Sequence, residues 1–112
     1  MKMETSETDG ILHVSLVGRL DTTGVGNIET RLTASLVPRA ARAIIDLSQV
    51  EFVGSLAIRM FLTIARALDR KNGKLVLYAP QPLVQQVFDT AALSDIIPIR
   101  ADAATAAVAA RS

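Results

Sequence analysis

The sequence predicts an α/β fold: a small mixed, mostly parallel sheet with an N-terminal antiparallel hairpin and helices packed against it. Three observations carry this. Short runs of aliphatic and β-branched residues alternate with longer segments whose apolar residues recur every three or four positions. An Asp9-Gly10 pair between the first two runs is a hairpin-turn signal. The later runs are joined through helical segments, and strands joined that way run mostly parallel, with right-handed crossovers. The order is β-β-α-β-α-β-α-β-α in one domain of 112 residues, long enough for a single packed core.

Each element has its own warrant. Ile11 to Val17 (ILHVSLV) reads as a strand, and Lys2 to Thr8 as its antiparallel partner across the turn, with residues 1–9 an edge strand or partly ordered. Gly18-Arg19-Leu20-Asp21 then leaves the second strand. Thr22 and Thr23 offer cap oxygens for a helix with Val25, Ile28, Leu32 and Leu36 on one face, ended by Pro38. Arg42 to Leu47 is a short, mainly apolar run of the kind covered on both faces, followed by a short turn. From Ser55 to Arg70, Leu56, Met60, Phe61, Ile64 and Leu68 recur at helical spacing, with Arg59, Arg66 and Arg70 largely between them. Asn72-Gly73 closes that helix, and Lys74 to Ala79 is the next strand. Pro82 suits a first helical turn whose buried face is Leu83, Val84, Val87, Phe88 and Ala91. Ile96 to Ile99 is a last short strand. Asp102 caps an alanine-rich C-terminal helix, over residues 101–112, that is prone to fraying.

Composition narrows the function classes. Twelve Lys and Arg against eleven Asp and Glu give no general attraction to phosphate backbones or anionic membranes, so neither nucleic acid nor membrane insertion is expected. The basic residues between Arg39 and Lys74 read as a solvated helix face. Four aromatics leave little to stack on bases. There is no cysteine, and the one histidine, His13, lies alone in a strand, so no metal or cofactor is expected. No apolar run nears the ~18 residues that span a bilayer. The polar start MKMETSETDG lacks the apolar core of a signal peptide, so a cytoplasmic location is expected. Val53-Gly54-Ser55-Leu56-Ala57 lacks both glycines of Gly-x-Ser-x-Gly, and no phosphate-binding glycine loop is present. A hydrolase using Ser55 is therefore disfavoured and no enzyme activity is expected. Ser55, where a helix opens after a strand, suits either helix capping or phosphorylation.

Gly18-Arg19-Leu20-Asp21, then Ile45-Asp46-Leu47-Ser48-Gln49-Val50-Glu51-Phe52, then Asn72 to Leu77 and Val87 to Leu93 occur in this order and spacing. Together they resemble the STAS domain family of bacterial anti-sigma-factor antagonists and of the cytoplasmic domains of sulfate transporters. In the antagonists the loop reads Asp-Ser-Ser/Thr-Gly-Leu with the first serine phosphorylated; here it reads Gly54-Ser55-Leu56-Ala57-Ile58. The resemblance implies a non-enzymatic protein-interaction module acting in transcription regulation. It would bind an anti-sigma factor with serine kinase activity and be switched at Ser55. The implied contacts are Asp21, the Val53, Gly54, Ser55, Leu56, Ala57 and Ile58 loop, and Arg59. The alternative is a STAS subunit of a membrane transport complex, docked on its ATPase and not phosphorylated. Oligomeric state is left open.

Overall fold

The computed structural model describes residues 1–112. Its elements are β1 (Lys2–Thr8), β2 (Ile11–Leu20), α1 (Thr22–Leu36), β3 (Arg42–Val53), α2 (Ser55–Asp69), β4 (Lys74–Tyr78), α3 (Pro82–Thr90), a 3₁₀ turn (Leu93–Asp95), β5 (Ile99–Arg100) and α4 (Ala103–Arg111). The five strands lie in sequence order, with β1–β2 antiparallel and the other pairs parallel. Because β2 to β5 advance steadily across the sheet, right-handed crossovers carry α1, α2 and α3 to one face.

That face holds the main core. Leu12, Val14, Leu16, Ile45 and Leu47 from the sheet meet Ile28, Leu32, Leu36, Met60, Phe61, Ile64 and Phe88 from the helices. Phe61 and Phe88 meet edge to face at 6.4 Å, fixing α2 against α3. The opposite face has a smaller cluster, in which Ala106, Ala109 and Ala110 of α4 cover Ile11, Ile44 and Val76.

Several boundaries differ from the sequence expectation, each for a local reason. β2 continues past Val17 to Leu20 because Gly18, at φ +125°, absorbs a register shift against β3. β3 does not stop at Leu47 but runs to Val53. A second shift lies between the pairs Ser15–Asp46 and Val17–Gln49, and the Asp46 carboxylate accepts the Ser48 N–H at 2.8 Å, so a bulge replaces the expected turn. The last strand is Ile99–Arg100 rather than Ile96 to Ile99: Leu93–Asp95 form a 3₁₀ turn that turns Ile97 into the core and leaves Ile96 exposed, and Pro98 has no N–H for the ladder. The Asp9-Gly10 turn, with both residues at positive φ, and the Asp102 cap of α4 are as expected.

Candidate functional site

The C-terminal ends of β2 and β3 lie side by side. Leu20 pairs with Val53, and the Gly54 N–H donates to the Leu20 carbonyl at 3.0 Å. α1 leaves from one strand end and α2 from the other, so two helix N-termini share one edge of the molecule. Asp21 caps α1 by accepting the Gly24 N–H at 2.9 Å. Thr22 and Thr23, expected as caps, occupy the first turn instead, since the Asp21 carboxylate already stands at the strand exit and takes the Gly24 amide.

At the second terminus the cap is Gly54, not Ser55. The Gly54 carbonyl receives the Ala57 and Ile58 amides, which places Ser55 at the first helical position. The capping reading of Ser55 is thereby overturned: its side chain is exposed and stands within the helix it was expected to cap.

The remaining predicted residues divide by direction. Val53 and Ala57 are buried, Val53 at the floor of a groove and Ala57 in the main core. Ile58 is half-buried along the same groove, while Leu56 and Arg59 face outward. The loop thus presents Ser55, Leu56 and Arg59, and holds itself down with Val53 and Ala57.

The structure adds residues that sequence reasoning did not select. Phe52 is 39% exposed, and the Arg19 guanidinium lies 4.6 Å from its ring centroid. Arg19 also approaches Asp21 at 3.7 Å, so one cation ties β2, the α1 cap and the end of β3 together. Leu83 (71% exposed), Val87 and Ala91 were expected on the buried face of α3, but only Val84 and Phe88 are buried there. Leu83, Val87 and Ala91 instead form the far wall of a groove of about 550 Å³, with Phe52, Val53, Ser55 and Ile58 opposite. The signal available in the sequence was that nine residues of helix carry more apolar positions than one buried stripe needs.

The arrangement favours docking. Apolar side chains rim a groove beside the exposed Ser55 hydroxyl at the N-terminus of α2. His13 belongs to β2 and borders a different cleft with Asp46 and Tyr78, away from Ser55. No group of His, Cys, Asp and Glu side chains is spaced to hold a metal ion. No helix is long and apolar enough to cross a membrane.

Comparison with known proteins agrees with this architecture. BtrV of Bordetella bronchiseptica, named a candidate anti-sigma factor antagonist, is 30% identical over 109 residues, spanning 97% of this chain and 94% of its own. A candidate anti-sigma factor antagonist from Thermotoga maritima has the same fold at TM-score 0.89 and 16% identity, over 98% of this chain and 95% of that one. The Bacillus cell-fate determinant SpoIIAA, solved in its phosphorylated form, matches at TM-score 0.67 and 21% identity, over 88% and 90% of the two chains. The STAS domain profile matches residues 2–106, and with the curated relative this establishes that the chain belongs to the STAS domain family, in its anti-sigma-factor-antagonist-like branch.

Proposed function

We propose that this protein is an anti-sigma-factor antagonist that docks on an anti-sigma factor with serine kinase activity, and that phosphorylation of Ser55 releases it. The observation that carries the reading is the exposure of Ser55 at the first position of α2, between the apolar groove and the Asp21 corner. Asp21, Ser55, Leu56, Ile58 and Arg59 make the contact surface, and Phe52, Leu83 and Val87 extend it. The relative BtrV, matched over 94% of its own length, supports the class of activity.

A phosphate on Ser55 adds about −1.5 to −2 charges near neutral pH. The free amides of the first turn of α2 accommodate it without unfolding the domain. The cost falls on the partner, which meets a hydrated dianion where an apolar rim had been buried.

The test is incubation with the cognate kinase and ATP, followed by mass spectrometry and a binding assay. One phosphate on Ser55, none on Ser55→Ala, and loss of kinase binding after modification are expected. An unmodified Ser55 beside a phosphorylated control antagonist overturns the switch. Co-purification with a transporter ATPase in place of a kinase would assign the docking surface to a transport complex.

A further inference from the structure

The sheet has two edges of unequal exposure. β5 contributes two residues, but β1 contributes seven, with β2 on one side and no strand on the other. An open edge of this length is a template for another strand. In the hairpin, Thr8 pairs with Ile11 across the Asp9-Gly10 turn, so Thr8, Ser6, Glu4 and Lys2 direct their backbone groups to β2. Met3, Thr5 and Glu7 therefore direct theirs outward.

The side chains of β1 do not oppose self-pairing. Antiparallel pairing with a second copy, about a two-fold axis at Thr5, sets Glu4 against Ser6, Lys2 against Thr8 and Met3 against Glu7. No like charges face each other, and Met3, Thr5 and Glu7 supply the hydrogen bonds, joining two sheets into one. What stands in the way is α1 and the turn after it. Arg31 Nη2 of α1 donates to the outward Met3 carbonyl at 2.9 Å, and Arg39 approaches the Glu7 carboxylate at 3.6 Å. Arg31 thus occupies an outward backbone group at one end of the row, and Arg39 holds only the Glu7 side chain at the other.

We infer that Arg31 and Arg39 guard the open edge of β1, and that the surface they guard is a homodimerisation edge for a second copy of this chain. Arg31 does most of this, because it takes the acceptor that the Glu7 N–H of a second copy needs. Arg39 holds Glu7 back through a more exposed ion pair, which is weaker. The inference is independent of the docking surface at Ser55, which lies at the C-terminal ends of β2 and β3.

The test is sedimentation velocity on the full chain over a concentration series, with hydrogen exchange read at Thr5 and Glu7. The wild type is expected to sediment as a monomer with both amides exchanging rapidly. Arg31→Ala/Arg39→Ala is expected to dimerise at least tenfold more tightly, with Thr5 and Glu7 protected as concentration rises. Adding Thr5→Pro to the double variant should restore the monomer, because proline removes an outward donor and leaves the β1–β2 ladder intact. If the double variant loses its native circular dichroism, Arg31→Gln, which keeps the side-chain stem, takes its place. A folded variant that stays monomeric, a dimer that survives Thr5→Pro, or a wild type already paired through Thr5 would each overturn the inference.

Discussion

At the scale of single residues, the candidate site is governed by what replaces the antagonist aspartate. Gly54 has an extended backbone, φ −102° and ψ −179°, which any residue can adopt. A Cβ there would meet Phe52 Cε2 at 3.4 Å and the Leu20 carbonyl at 3.7 Å, both ordinary contacts. Nothing in the fold therefore requires glycine, and Gly54→Asp should supply the side-chain cap that α2 lacks. The expected gain is roughly 0.3–1 kcal/mol from the cap and the helix dipole, read as a higher urea midpoint at unchanged slope. An unchanged or lower midpoint would mean that the Phe52 ring resists the added side chain. The sequence placed the start of α2 at Ser55 but misplaced its cap by one residue, because serine and glycine both suit that position and the deciding fact is which carbonyl the Ala57 and Ile58 amides reach. The contact of Arg19 with Phe52 was not legible at all, since it depends on the register of β2 against β3 after two shifts.

Among the elements, helices were read more accurately than strands. α1, α2 and α4 announce themselves through apolar spacing and end residues, whereas bulges at Gly18 and around Leu47 interrupt the alternation by which a strand is recognised. Sequence patterns also could not distinguish the groove wall of α3 from its buried face, because Leu83 and Val87 are as apolar as Val84. The junction of β2 and α1 shows what an element boundary can demand. Gly24 lies in the first turn of α1, where an added Cβ would come within 1.9 Å of the Arg19 carbonyl. That contact is with backbone, so it is relieved only by moving α1 away from β2. Gly24→Ala should cost on the order of 1–3 kcal/mol and weaken partner binding as well, because the shift carries Asp21 and Arg19 with it. Thermal unfolding and partner titration measure the two effects, and retention of wild-type stability would show that α1 yields freely.

On the scale of the whole molecule, the sheet is protected unequally. Three helices bury one face around large aliphatic and aromatic side chains, while the other relies on three alanines of α4 over Ile11, Ile44 and Val76. Such small side chains remove little apolar area from water, so polar contacts at its ends matter more to α4. At its C-terminal end, Arg42 Nη1 donates to the Ala110 and Ser112 carbonyls and Nη2 donates to Asn72, tying α4 to the end of α2. At its N-terminal end, Asp102 accepts the Thr105 N–H at 2.8 Å. Hydrogen bonds from the Thr105 backbone and side chain hold the Asp102 carboxyl below its ordinary value, with burial opposing and the Ala104 amide assisting. A carboxylate whose folded value is depressed stabilises the folded form above its unfolded value, and that contribution is lost as pH falls through the folded one. α4 should therefore be the first helix to open in acid. Amide exchange at Ala106, Ala109 and Ala110 should quicken as pH drops below the ordinary carboxylate range, while Ile45 and Leu47 in the central strand stay protected, after correction for the intrinsic rate. Asp102→Asn keeps a capping oxygen without the titration, so its exchange difference between α4 and β3 should stay flat over the same interval. If the wild type and this variant follow the same acid profile, the detachment of α4 is set by the Arg42 end and not by its cap.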